Sequence, residues 1–251
     1  MKLFLYVFFL LTYAFAQNAQ ELKYEIIGSI PHNNQSFTQG LLVIGDKIYE
    51  STGSVGRGSF VIEIDKKTGK EIRKTKSDEI FGEGLAFDGS MLWQLSWKDE
   101  KAFVYSLNSL AKTAEIPYRG EGWGLTFILP KKKFAMSDGS DKIIFRDKNF
   151  NEISNISVKF NGKSLDKINE LEFWNDRIWA NRWYSDTIFA INQETGIVDF
   201  FVDLTELRKS ENQSIRDGNV LNGIAAIDNE TLLITGKRWN KFYIIRVKRT
   251  P

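Results

Sequence analysis

An all-β, five-bladed propeller is predicted by three observations: a short phrase repeated five times, a regular spacing between its copies, and a composition rich in strand-forming aromatics. The phrase is x-[Gly/Glu]-[Leu/Ile] ahead of an apolar stretch, and its copies end at Leu41, Leu85, Leu125, Leu171 and Ile224. The spacings are 44, 40, 46 and 53 residues. Periods of about 40–50 residues with strand-like content correspond to four-stranded antiparallel blades. Aromatic residues make up 14% of the chain, with 19 Phe and 7 Trp, while Gly is frequent and Ala scarce, which favours strands and tight turns over long helices.

Taken from the N-terminus, Met1-Lys2 and the apolar run Leu3 to Phe15, ending in Ala14-Phe15-Ala16, have the charged start, hydrophobic middle and small-x-small end of a secretory signal. The run is shorter than the roughly 20 apolar residues that span a bilayer. Residues 1–16 are therefore expected to be a signal peptide, and 17–251 one catalytic domain that is secreted or periplasmic and free of the membrane after cleavage. The strand Tyr24 to Ile30 has no blade of its own.

Each phrase copy opens the first strand of a blade. A turn and second strand follow, as in Asp46 to Ser51 and Asp176 to Asn181. Third strands read Phe60 to Ile64, Ala102 to Ser106, Ile143 to Arg146, Thr187 to Ile191 and Phe242 to Val247. Thr68-Gly69 and Thr195-Gly196 turn into fourth strands at Glu71 to Thr75 and Ile197 to Val202. The fifth blade runs out of chain after Val247, so the N-terminal strand is expected to pair there and close the ring, removing an exposed edge.

Several function classes are excluded by composition. With no cysteine, packing and hydrogen bonds alone hold the fold. A net charge of +2, from 34 basic against 32 acidic residues, points to neither nucleic acid nor an anionic membrane. The single histidine, His32, sits in the polar turn Pro31-His32-Asn33-Asn34, which argues against a His/Cys metal cage and against a Ser-His-Asp hydrolase. No metal and no cofactor are expected.

First strands line a propeller's central channel, whose mouth is the usual ligand site. Two residues before the Leu or Ile, the copies carry Gln39, Glu83, Trp123, Asn169 and Asn222: one acid, three amides and an indole directed at one axis. Phe37 and Phe81, two residues earlier, share the faces of Gln39 and Glu83. The ends of the second strands add Trp97, Trp183, Lys237 and Trp239, whereas Trp93, Trp174 and Trp179 read as ordinary core.

At these positions the chain resembles the plant and bacterial glutaminyl cyclases of the papaya-latex type. The phrases that carry the resemblance are Phe37-Thr-Gln-Gly-Leu41, Tyr49-Glu-Ser-Thr-Gly53, Gly82-Glu-Gly-Leu85, Gly122-Trp-Gly-Leu-Thr126 and Ser137-Asp-Gly-Ser140, followed by Asn169-Glu-Leu-Glu172, Trp179-Ala-Asn181, Leu221-Asn-Gly-Ile224 and Thr235-Gly-Lys-Arg-Trp239. The resemblance implies a five-bladed, metal-independent enzyme that converts the N-terminal glutamine of peptides and proteins to pyroglutamate with release of ammonia. It implies Glu83 as essential carboxylate and Phe37, Gln39, Phe81, Trp97, Trp123, Asn169, Trp183 and Lys237 as substrate pocket. Glu170 faces the channel in place of Asn169 if that strand bulges, and Tyr184 stands where the family has Gln.

The reaction needs a base for the substrate amine, a proton for the departing nitrogen and donors for the carbonyl oxygen. Glu83 is the expected shuttle, with Gln39, Asn169 and Lys237 as candidate donors; Asn222 and Trp239 are expected to help bind substrate. A monomer is expected. The rival readings are a non-catalytic propeller that captures peptide or carbohydrate, for which a lone buried acid has no use, and a calcium-dependent lactonase, for which one channel carboxylate is a thin ligand set.

Cleavage after Ala16 would leave Gln17 first, itself the substrate group of the implied activity. Mass spectrometry of secreted protein is expected to find it as pyroglutamate. An intact Gln17 amine on active protein, or a different first residue, contradicts this.

Overall fold

Five sheets follow one another along the chain in the computed structural model, which describes residues 18–54, 58–77, 80–211 and 214–248. Residues 1–16, expected from the sequence to be a signal peptide, lie outside the described residues. Blade 1 comprises Thr38–Ile44, Lys47–Thr52, Ser59–Asp65 and Glu71–Ser77, and blade 2 Gly82–Phe87, Met91–Ser96, Lys101–Ser106 and Lys112–Pro117. Blade 3 comprises Leu125–Ile128, Lys133–Ser137, Lys142–Arg146 and Glu152–Ser157. Blade 4 is built from Ile168–Trp174, Arg177–Arg182, Thr187–Asn192 and Val198–Asp203, with Gln20–Glu21 added in parallel to its outer strand. Blade 5 has Leu221–Ala226, Thr231–Gly236 and Lys241–Lys248, and Lys23–Pro31 is its outermost strand, antiparallel to Lys241–Lys248.

The longer repeat spacings have local causes. A hairpin of Lys159–Phe160 and Lys163–Ser164 lengthens the third interval, and the helix Thr205–Ser210 with the turn Ile215–Asp217 lengthens the fourth. Apolar faces are buried between blades, in five clusters, one for each pair of neighbours; the cluster of Ile30, Leu41, Ile48, Ala225, Leu233 and Phe242 joins the fifth blade to the first.

Each first strand leaves one edge unpaired against the axis, where its N–H groups still need acceptors. Side chains and carbonyls of neighbouring blades supply them. Glu170 accepts from Leu41 N of blade 1 at 3.3 Å and from Ile224 N of blade 5 at 2.8 Å, and Glu172 accepts from Ala226 N at 2.8 Å. Thr126 Oγ1 takes Phe173 N, Asn181 Oδ1 takes Gly223 N, and Trp123 O takes Gly84 N at 2.7 Å. A buried N–H left unmade costs about 1–3 kcal/mol, so the two glutamates between them answer for several kcal/mol. The phrase's glycines follow from the same crowding: a Cβ on Gly84 would lie 2.4 Å from Leu125 N, and one on Gly124 1.9 Å from Asn169 O.

In four blades the ladder slips at the phrase, between Thr38 and Gly40, Gly82 and Leu85, Ile168 and Leu171, and Leu221 and Ile224. Such a bulge turns consecutive side chains toward one side. It directs Asn169 to the channel mouth while Glu170 goes deeper, so the two residues have separate duties. The expectation of a single channel carboxylate is therefore corrected, since Glu170 and Glu172 are buried beside the axis as well. His32 is also not a surface turn: it is buried against Phe242, with Nε2 3.0 Å from Glu50 Oε1 and Nδ1 3.3 Å from Thr235 Oγ1.

Burial pushes the Glu172 carboxyl up to about 7, above the 4.5 of a free glutamate, so the folded state holds this proton more tightly than the unfolded chain. Its stabilising contribution is complete below the unfolded value and is lost as pH rises through about 7. Glu172→Gln is expected to shrink the fall in melting temperature between pH 5 and pH 8 by at least about 2 °C. An unchanged fall, measured calorimetrically at the two pH values, contradicts this.

Candidate active site

At the channel mouth the phrase side chains meet the loops that leave the second strands, around a cavity of about 210 Å³. Backbone bonds recur there from blade to blade. Gly53 N donates to Phe37 O, Trp97 N to Phe81 O, Trp183 N to Lys167 O and Lys237 N to Val220 O, at 2.8–2.9 Å. The next residue is left-handed in two of these turns, at Tyr184 (φ 62°) and Arg238 (φ 60°), which is how the rim side chain is aimed inward before the chain reverses.

The floor is polar. Gln39 Nε2 donates to Glu83 Oε1 at 2.9 Å, and Asn222 Nδ2 approaches Gln39 Oε1 at 3.4 Å while donating to Thr38 O at 3.0 Å. Asn222 thus fixes which end of the Gln39 amide faces the acid. Beneath Glu83, its backbone carbonyl accepts from Ser51 Oγ, which accepts from Gln94, whose Oε1 accepts from Tyr105 OH at 2.9 Å. Asn169 lines the cavity, and its Oδ1 has no hydrogen-bond partner among the described residues.

Lys237 is 4% exposed, and among the described residues its Nζ makes no ion pair; it lies 4.7 Å from the Phe37 ring centroid. Burial pushes the Glu83 carboxyl well above the ordinary carboxylate range, with Lys237 pulling it down and Glu121 adding to the rise. Burial pulls Lys237 down to about 8, with Glu83 opposing. Burial thus disfavours the charged form of both the acid and the amine, and each opposes that shift in the other.

The walls are aromatic. Phe37 and Phe81 meet edge to face at 6.2 Å between centroids, and Phe81 and Trp97 at 5.7 Å; across the mouth, Trp123 meets Trp183 at 5.6 Å and Trp183 meets Tyr184 at 4.8 Å. The five Phe and Trp side chains are half-buried, as walls open to solvent must be, and Tyr184 is exposed.

Nine of the sequence-predicted side chains therefore converge on one cavity: Phe37, Gln39, Phe81, Glu83, Trp97, Trp123, Asn169, Trp183 and Lys237. Two do not line it. Asn222 lies one layer down behind Gln39, fully buried. Trp239 is in the core between blades 4 and 5, because the reversal at Arg238 folds its indole back over Gly236, where a Cβ would stand 2.2 Å from the ring. Glu121 was not singled out from the sequence, yet its Oε2 accepts from the indoles of both Trp97 and Trp123. The signal was present: Glu121 precedes Trp123 by two residues, as Phe37 precedes Gln39 and Phe81 precedes Glu83.

Comparison with known proteins places this arrangement. Residues 4–247 match the family model described as Glutamine cyclotransferase. A glutaminyl-peptide cyclotransferase of Arabidopsis thaliana is 36% identical over 231 residues, which is 90% of this chain and 71% of that protein. The crystal structure of Myxococcus xanthus glutaminyl cyclase superposes with a TM-score of 0.86 at 30% identity, covering 93% of this chain and all of the other. Hydrazine synthase of Kuenenia stuttgartiensis, at 16% identity, TM-score 0.50 and coverage of 81% and 56%, shares the fold alone.

The different placements of two tryptophans are testable by denaturation. Trp239→Ala is expected to cost about 3–5 kcal/mol, as for a buried indole, and Trp97→Ala under about 1 kcal/mol, as for a half-exposed wall residue. Equal losses contradict the assignment of Trp239 to the core.

Proposed function

Because this chain belongs to the glutamine cyclotransferase family, we propose a mechanism in which the mouth cavity folds an N-terminal glutamine back on itself and Glu83 moves the protons. The chain is a glutaminyl-peptide cyclotransferase, acting on peptides that begin with glutamine. The observation that carries the mechanism is one buried acid and one buried amine lining the same aromatic-walled cavity.

The attack is intramolecular, so much of the rate comes from holding the α-nitrogen against the side-chain amide carbon. The aromatic walls supply that confinement and receive the substrate ammonium over their faces. A free α-ammonium titrates at about 7.7–8.0, so it must lose a proton before attack. Burial raises the proton affinity of Glu83, which makes its carboxylate a stronger base for that proton. As the N–C bond forms, the now protonated Glu83 gives that proton to the amide nitrogen and takes the second one from the attacking nitrogen, so that the C–N bond breaks, ammonia leaves neutral and Glu83 returns its proton to solvent. The carbonyl oxygen, negative in the tetrahedral intermediate, is stabilised by Lys237. Asn169, whose amide has an unmatched oxygen, orients the substrate amide, and Gln39 holds Glu83.

No metal is assigned a role. The one histidine is occupied by Glu50 and Thr235, there is no cysteine, and among the described residues no group of three or more His, Cys, Asp or Glu is placed to hold an ion. Lys237 supplies positive charge at the cavity. Chelators are expected to leave turnover intact; loss of turnover restored by added zinc would refute this part of the proposal. Export after cleavage of residues 1–16 belongs to the same proposal, on the sequence pattern alone.

Glu83→Gln keeps the size and a hydrogen-bonding end but takes up no proton. In an ammonia-release assay its kcat is expected to fall by about 10²–10⁴, and Glu170→Gln, which alters a backbone acceptor away from the cavity, to keep kcat within about tenfold. The acid limb of kcat/KM is expected above the ordinary carboxylate value of about 4.3, because turnover requires ionised Glu83 and burial raises it. A Glu83→Gln kcat above about a tenth of wild type overturns the shuttle.

A further inference from the structure

Among the aromatic walls stands a carboxylate that the mechanism above does not use. Glu121 occupies in blade 3 the repeat position of Phe37 in blade 1 and Phe81 in blade 2, two residues ahead of the channel side chain. Its Oε2 accepts from Trp97 Nε1 at 2.8 Å and from Trp123 Nε1 at 3.1 Å. Its Oε1 lies 3.6 Å from Lys98 Nζ, and that ammonium lies 4.1 Å from the Trp97 ring centroid. The edge-to-face series Phe37, Phe81, Trp97 ends at this carboxylate, and the series Trp123, Trp183, Tyr184 begins at it. Indoles on two different blades are thus held by a single oxygen atom.

We propose that Glu121 is a positioning residue for the cyclisation, joining the two halves of the aromatic wall through one carboxylate oxygen. The inference rests on this cavity being the reaction site. A hydrogen bond from an indole N–H to an anion is stronger than one to a neutral acceptor, so both rings are held in the orientation that shapes the cavity. It also draws positive charge from the ring edge toward the anion, which leaves the indole face a better seat for the substrate ammonium. Burial raises the Glu121 carboxyl, but the indole bonds from Trp123 and Trp97 and the charge of Lys98 outweigh it and hold the group below its usual range. Glu121 is therefore an anion throughout the working pH range. Glu83 feels this charge: burial and Glu121 favour its protonated form, and Lys237 its ionised form.

Two variants separate joint from charge. Glu121→Ala removes both, and Glu121→Gln keeps an acceptor oxygen for the indoles without the charge. With a Gln-initiated dipeptide, Glu121→Ala is expected to raise KM about tenfold with a smaller loss in kcat, the size of one hydrogen bond to a charged group. Glu121→Gln is expected to recover most of that KM. Its acid limb of kcat/KM is expected at lower pH than in wild type, because the like charge acting on Glu83 is gone while Lys237 remains. A merely structural side chain would not move that limb. The Glu121 side chain is 41% exposed, so both variants are expected to fold, and melting curves check that they are folded at the assay temperature. Wild-type KM in Glu121→Ala overturns the proposal, and so does a Glu121→Gln as impaired as Glu121→Ala with an unmoved acid limb. Failure of the site reading shows separately, as a wild-type kcat in Glu83→Gln whatever Glu121 does.

Discussion

The unpaired inner edges of five strands, brought together around one axis, are the constraint from which most of this structure follows. A sheet edge that faces solvent can leave its N–H groups to water, but these edges face one another at contact distance. Glycine at the phrase lets the backbones approach, and side chains from neighbouring blades then accept the stranded N–H groups. Glu170 does so for two blades at once, reaching Leu41 and Ile224 from the position where the other copies carry glycine. Its burial raises its proton affinity, as does that of Glu172 beside it. Acids deep in the ring are thus part of its construction, and burial alone does not mark the reactive one.

What separates Glu83 from them is what surrounds it. Glu170 and Glu172 spend their oxygens on backbone N–H groups, whereas Glu83 has a side-chain amide on one oxygen and a cavity in front of it. The amide is held by Asn222 behind it, so the polar floor is layered, and the layer away from substrate sets the orientation of the layer that meets it. The bulges that relieve crowding at the axis also turn the functional side chains to the mouth, so one backbone irregularity serves packing and chemistry alike.

Each Phe and Trp of the cavity wall is anchored twice, by a backbone hydrogen bond and by ring contacts with its neighbours. Confinement of this kind suits an intramolecular reaction. The substrate glutamine is one flexible residue to fold back, so apolar walls with one acid and one amine fit the proposed reaction.

From the sequence alone the blade count, the strand order within each blade and the cavity side chains other than Asn169 could be read, because repeat spacing and two-residue periodicity are local properties of the chain. The fates of Trp239, His32, Asn222 and Glu121 could not. Trp239 is two residues from Lys237 and His32 follows a strand end, and each looked like a rim or turn residue until a left-handed turn and a neighbouring blade placed it in the core. Asn169 and Glu170 were indistinguishable on paper, and a bulge divided them between cavity and ring interior. Glu121 carried a repeat position but not a repeat residue type, so nothing local revealed that two indoles from different blades would converge on it. Periodicity determines which side of a strand a residue faces; which groups from distant blades meet it there, and what their burial does to its charge, is decided only when the ring closes.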